Sequence, residues 1–184
     1  MGLDAYLTIS EYVARTKRDD LMGDAPASNP LFEELVNRRP SWVDKSGFHG
    51  ISIDYPAGYW RKANAIHNWF VHNVQDGRDE CQKSYVESQK LRDLRDACEL
   101  VLYAHDKDTR PVQEVAEESG LETKSGFFFG SQTYDEYYME DLRYTAKLIN
   151  TIFFYILTLI FLHSTCFFIH IIESTTVAGL GVFV

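Results

Sequence analysis

An uncharged apolar run near the carboxyl end places the strongest constraint on the fold of this chain. Residues 151–172 (TIFFYILTLIFLHSTCFFIHII) contain no Asp, Glu, Lys or Arg. As a helix, the run would extend about 33 Å, and a bilayer's hydrocarbon core is about 30 Å thick. Arg143 and Lys147 precede it and Glu173 follows it. The length of the run therefore predicts a membrane-spanning helix, and the positive-inside rule places the preceding domain in the cytoplasm.

Two other interpretations of this run stay open. It could be a core helix, although such a helix is usually apolar along one stripe and this run is apolar on all sides. It could also be the product of an altered reading frame. A Phe-, Ile-, Leu- and Cys-rich sequence that ends in GLGVFV (179–184) is typical of a frame change in AT-rich DNA.

The length, net charge and cysteine count limit the classes of protein to which the chain can belong. Its 184 residues are enough for one domain with a sizeable core. The formal net charge of −9 argues against a nucleic-acid surface, which needs clustered Lys and Arg. Cys81, Cys98 and Cys166 are widely spaced and form no CxxC pair. Neither a zinc site nor a disulfide framework is indicated, and a reducing compartment fits best.

Periodicity predicts an α+β domain over residues 1–149. Alternating residues predict strands over 3–13 and 48–55, and a brief third strand is predicted over 83–86. Helical spacing predicts three principal helices, which begin at Tyr59, at Ser88 and at Tyr134. We therefore expect a small, mostly antiparallel sheet with about three helices, followed by a hydrophobic tail and C-terminal helix in residues 150–184.

Shorter segments have local sequence patterns of their own. Asn29-Pro30 predicts the start of a short helix, with the asparagine as N-cap. Thr133 and Glu136 have the spacing of a capping box. Residues 105–124 are predicted as a loop with one amphipathic turn, and Gly126–Gly130 as a buried strand or a tight loop.

Aromatic and polar residues are concentrated at the start of the predicted second helical stretch and again at Tyr134–Tyr138. On a helix from Tyr59, Trp60, Asn64 and His67 would share one stripe. The candidate ligand-binding residues are Tyr59, Trp60, Arg61, Lys62, Asn64, His67, Trp69, Tyr134 and Tyr138.

His67 is the candidate catalytic residue, because an imidazole can act as a general base near neutral pH. The alternative is a partly buried histidine bonded to a backbone carbonyl. His67, Asp76 and Asp135 have no recognised metal-ligand spacing, so we predict no metal site. No phosphate-binding loop, dinucleotide fingerprint or nucleophile motif occurs in the sequence, and we predict no cofactor.

Four sequence blocks resemble a family of small proteins encoded mostly by bacteriophages and by some bacteria. They are MGLDxYL (1–7), GYWRKANxIHxWFV (58–71), VQDGxDxC (74–81) and SGFFFGSxxYDxYY (125–138). The family has no assigned activity, so the resemblance implies a viral or mobile-element origin and little chemistry. Ala5 replaces an expected methionine, and the hydrophobic tail replaces a short aromatic strand.

These observations lead to two hypotheses of function. The first is a non-enzymatic phage accessory protein that binds a host protein or a small ligand through its aromatic and polar residues. The alternative is a small hydrolase or transferase for a nucleotide-like, phosphate-bearing substrate, with Arg61 and Lys62 on the phosphate and His67 as base. Either protein would lie in the host cytoplasm, and residues 151–172 could tether it to the inner membrane.

Overall fold

The computed structural model of the protein describes residues 4–16, 29–44, 46–124, 132–166 and 179–183, with side chains up to Thr158 in the last helix. The described residues form an α+β fold. Its strands are β1 (Asp4–Ala14), β2 (Gly50–Arg61), β3 (Lys83–Val86) and β4 (Gly179–Phe183). Its helices are α1 (Pro30–Asn37), α2 (Asn64–Asn73), α3 (Ser88–Lys107), α4 (Val112–Glu118) and α5 (Glu136–Cys166).

The strands form an antiparallel sheet in the order β2-β1-β4-β3. The β1–β2 pair is the longest and extends from Asp4 opposite Arg61 to Ala14 opposite Gly50. Its register shifts between Leu7 and Thr8, so that β2 contains one extra residue there. The predicted antiparallel α+β architecture is confirmed, but the described part of the chain has five helices rather than three.

The main core lies between one face of the sheet and the helices. It joins Leu7 of β1 to residues of α2, α3 and α5, all less than 2% exposed, among them Ile66, Phe70, Leu94 and Leu142. A smaller cluster of Val13, Phe32 and Val36 attaches α1 to the far end of the β1–β2 pair. The apolar stripes predicted for the helices are therefore the faces that form the core.

The prediction of a helix from Tyr59 is wrong. β2 continues through Pro56 to Arg61, and α2 begins only at Asn64. The physical reason is pairing, because β1 supplies partners along the whole of β2. Pro56 is tolerated because β2 is an edge strand and because the proline lies beside the register shift, where a missing N–H is least costly.

Two other helix boundaries differ from the prediction. The stretch 105–124, expected to be mainly loop, contains the end of α3 and the whole of α4. α5 begins at Glu136 rather than at Tyr134, because the Asp135 carboxylate, and not Thr133, accepts the Tyr138 N–H at 3.1 Å.

Other local predictions are confirmed. β1 lies where alternation places it, and β3 occupies the residues predicted for the brief third strand. At α1, Asn29 accepts the Leu31 N–H at 3.1 Å and Pro30 occupies the first turn. The predicted strand or loop at Gly126–Gly130 lies outside the described residues.

The predicted boundary at residue 149 falls inside α5, which continues without a break to Cys166. Just beyond that boundary, Ile152 and Phe153 are buried in the main core. Farther along the chain, β4 pairs with both β1 and β3. In the part of the chain that the structure describes, no helix is both long enough and apolar enough to cross a bilayer. Residues 167–172 of the predicted span lie outside that part.

Candidate functional site

A cavity of about 510 Å³ lies where the β2–α2 connection meets the start of α5. The cations Arg61 and Lys62 line it from the end of β2, and the first turn of α2 continues the same wall. The first two turns of α5 contribute aromatic and acidic side chains, namely Asp135, Tyr137, Tyr138, Glu140 and Asp141. This cavity brings together four of the predicted site residues, namely Arg61, Lys62, Asn64 and Tyr138.

The sharp connection between β2 and α2 exposes the two cations. Lys62 has a φ of 60°, a left-handed conformation that is uncommon for a residue with a side chain. Such strained residues are concentrated at functional sites. Arg61 and Lys62 are exposed, and within the described residues neither forms a salt bridge. Both charges are therefore available to a ligand.

The amino end of α2 adds hydrogen-bond donors to the same wall. The first bond within the helix is donated by the His67 N–H to the Ala63 carbonyl at 3.0 Å, and no side chain caps the helix. The N–H groups of Asn64, Ala65 and Ile66 consequently lack acceptors within the helix, and these three residues line the cavity. An N-terminus of this kind attracts anions.

Acidic groups of α5 face the same cavity. Burial, reinforced by Glu140 and Asp135, raises the pKa of the Asp141 carboxyl to about 6. Asp135 is engaged locally, since it accepts the Tyr138 N–H and the Thr133 hydroxyl. Among the described residues, Glu140 and Asp141 line the cavity and form no salt bridge and no side-chain hydrogen bond. Glu140 nevertheless interacts with Arg143, since it contributes, after Glu136 and Asp106, to the raised pKa of that guanidinium.

Three of the predicted site aromatics are buried in the core. Trp60, Trp69 and Tyr138 are less than 10% exposed. Both tryptophans meet Phe70 edge to face, with centroids 5.8 and 5.6 Å away. The Tyr138 hydroxyl donates to the Leu121 carbonyl at 3.0 Å. These aromatics therefore hold elements together instead of forming an exposed contact surface.

The remaining aromatics of the prediction lie apart from one another. Tyr59 is exposed beside Tyr6, with ring centroids 5.0 Å apart, and its hydroxyl donates to Asp4 at 2.9 Å. Tyr134 is half-buried against Tyr138 and lines a second cavity of about 740 Å³, which shares Thr123 and Thr133 with the first.

His67 does not belong to the cavity wall. Its side chain is 2% exposed, and its Nε2 lies 3.1 Å from the Asp79 Oδ2 in the loop after α2. The structure therefore separates it from Arg61 and Lys62, which line the cavity. Its contacts fit the alternative of a buried structural histidine better than that of a general base.

The predicted site residues did not include ten of the residues that line the cavity, among them Tyr137, Glu140 and Asp141. All three lie in the YDEYYMED segment, whose acidic residues have the pattern of an ordinary solvated helix start. Asp141 differs from such residues in its raised pKa, which results from the packing of α5 against the β2–α2 connection. No sequence pattern singled these residues out, because Glu140 and Asp141 are adjacent and do not recur at helical spacing.

The described residues contain no group of three or more His, Cys, Asp or Glu side chains suited to a metal ion. Cys98 is fully buried, and burial raises the pKa of its thiol far above the ordinary value. A buried thiol of this kind is unreactive. The arrangement at the cavity is thus one of fixed charges and backbone donors.

Comparisons of the chain with protein-family models, with curated proteins and with solved structures found no match. The resemblance to the phage-encoded family stays a prediction from the sequence blocks.

Proposed function

We propose that this protein is a non-enzymatic binding domain for a small ligand with an anionic group, held in the cavity between the β2–α2 connection and α5. The observation that carries the proposal is that Arg61 and Lys62, both without a salt bridge, line one cavity together with the uncapped first turn of α2.

The size of the cavity supports a small ligand. Ligand pockets usually enclose about 300–1,000 Å³, and the cavity of about 510 Å³ falls within that range. Its walls come from the end of a strand and from two helices packed on a common core, which fixes their positions before a ligand binds. Such preorganisation reduces the entropic cost of binding.

The two cations of the cavity indicate which chemical classes of anion it would bind. An arginine guanidinium binds a phosphate or a carboxylate through two parallel hydrogen bonds, and a lysine adds a mobile charge. Backbone N–H groups at the start of α2 would complete the set of donors. Phosphate monoesters and carboxylates are therefore the ligand classes to test first.

The test is isothermal titration calorimetry of the full chain with a panel of phosphate monoesters and carboxylates. Arg61→Gln should weaken binding of the best member about tenfold or more, because it removes a charge-assisted contact. Arg78→Gln is the matched control, since Arg78 is exposed, outside the cavity and without a salt bridge in the described residues. Equal weakening by both variants would refute the site.

An enzyme for a phosphate-bearing substrate is the second candidate, and Asp141 is the residue that favours it. A carboxyl with a pKa near 6 is suited to general-base catalysis close to neutral pH. In this candidate the base is Asp141 and not the buried His67. Release of inorganic phosphate from nucleotides, lost in Asp141→Asn with ligand affinity retained, would select the enzyme over the binding domain.

A further inference from the structure

We infer that the ligand of this cavity is a small zwitterion, in which an ammonium group near Glu140 and Asp141 is joined to a phosphate or carboxylate near Arg61 and Lys62. The inference rests on the proposed function and specifies the ligand class of that same site.

The distribution of charge in the cavity argues against a purely anionic ligand. Glu140 and Asp141 face the same space as the two cations, but within the described residues neither carboxylate pairs with either cation. A simple phosphate bound there would be close to both carboxylates, of which, within the described residues, only Glu140 interacts with a neighbouring cation, Arg143, and this proximity costs affinity. A ligand with an ammonium group would neutralise the carboxylates while its anion neutralises the cations.

The Tyr137 ring in the cavity wall is also suited to binding the ammonium group. Tyr137 lines the cavity and is 77% exposed, so the face of its ring is accessible. Ammonium groups are attracted to such rings, and aromatic side chains beside carboxylates form a common arrangement for binding them. Asp135, by contrast, is already engaged as the cap of α5 and leaves the two later carboxylates for the ligand.

The two charged groups of the cavity lie on different elements. The cations are attached to the β2–α2 connection and the carboxylates to α5, and these elements meet in the core through Trp60 and Thr145. A ligand that carries both an ammonium and an anion could contact both walls, and a ligand with one of the two groups would leave a charged wall unmatched.

The test compares matched pairs of probes by calorimetry on the full chain. O-phosphoethanolamine is compared with ethyl phosphate, and β-alanine with propionate, so that each pair differs only in the amine. We expect the amine to improve the affinity of at least one pair about tenfold or more, as charge-assisted contacts do. Which pair binds identifies the anion as phosphate or carboxylate.

Variants locate the source of the preference. Asp141→Asn and Glu140→Gln should each reduce the advantage of the amine, whereas Glu80→Gln, exposed and outside the cavity, should leave it intact. Melting temperatures measured in parallel verify that each variant is folded. If ethyl phosphate and propionate both bind at the cavity as tightly as their amine partners, the zwitterion inference is wrong while the anion site stands. If no probe binds, the proposed function fails as well.

Discussion

Trp60 donates a hydrogen bond from its indole Nε1 to the Thr145 Oγ1 across 2.8 Å in the core. Trp60 is the next-to-last residue of β2 and Thr145 lies in the third turn of α5, so this bond joins the two walls of the cavity. The Thr145 hydroxyl donates in turn to the Asp141 carbonyl at 2.7 Å. The position of the site therefore depends on a polar contact within the core.

Thr145→Val should lower the free energy of unfolding by about 1–3 kcal/mol. The substitution keeps the volume but leaves the buried indole N–H without an acceptor, and an unsatisfied buried donor has a cost of that size. Urea unfolding followed by tryptophan fluorescence measures the change. Thr145→Ser, which keeps the hydroxyl, should lose less, and the order of the two variants would reverse if packing alone mattered.

Asp141→Asn should stabilise the protein at alkaline pH and have little effect near pH 4. The folded carboxyl has a pKa of about 6, raised mainly by burial from an ordinary value of 3.8. Between those values the folded state binds more protons than the unfolded state, so stability falls as pH rises from about 4 to 6 and is then level. The Asn side chain avoids that loss, which we place at about 1 kcal/mol after allowing for solvent screening.

Thermal melting of the two proteins from pH 4 to pH 8 measures this difference. Glu80→Gln, at an exposed carboxylate, is the control and should follow the wild type at every pH. A constant gap between wild type and Asp141→Asn across the range would contradict the account, because it would show that titration of Asp141 is not the cause.

His67→Ala should destabilise the fold by about 2–4 kcal/mol without changing ligand affinity. The imidazole is buried, contacts Asp79 and lies outside the cavity, so its removal leaves a hole in the core. Denaturant unfolding and calorimetry with the best ligand separate the two effects. A tenfold loss of affinity in a stably folded His67 variant would restore the histidine to the site.

Phe153→Ala should cost about 3 kcal/mol or more, and Phe154→Ala close to nothing. The two rings are neighbours on α5, but Phe153 is 9% exposed in the core and Phe154 is 66% exposed. The Phe153 ring also lies 4.0 Å below the Arg92 guanidinium. Unfolding of both variants tests whether the residues after 149 contribute to the core, and equal stability of the two would exclude that contribution.

Local sequence patterns were sufficient to predict several elements. Alternation located β1 and the first part of β2, and Asn29-Pro30 located α1, because caps and strand faces depend on neighbours in the sequence. The residue at which β2 ends depends on pairing with β1, and α2 can begin only after that residue. No pattern within residues 56–63 contains the information about this long-range pairing.

The candidate site was predictable to a similar extent. Arg61, Lys62 and Asn64 were selected from a dense polar and aromatic stretch, and they line one cavity. The same stretch contains Trp60 at the end of β2 and His67 and Trp69 in α2, and all three are buried. The sequence did not distinguish them from the lining residues, because Trp60 was assigned to the helix and because α2, enclosed on several sides, has no clear apolar stripe. Asp141 was missed because its raised pKa comes from burial by elements distant along the chain.

An amide NMR titration of the full chain with O-phosphoethanolamine tests the central claim most directly. The account predicts that the largest saturable shifts occur at Asn64, Ala65 and Ile66, which line the cavity in the first turn of α2, and that they disappear in Arg61→Gln but persist in Arg78→Gln. Shifts confined to other parts of the chain, or none for this or any other phosphate or carboxylate probe, would contradict an anion site at the start of α2.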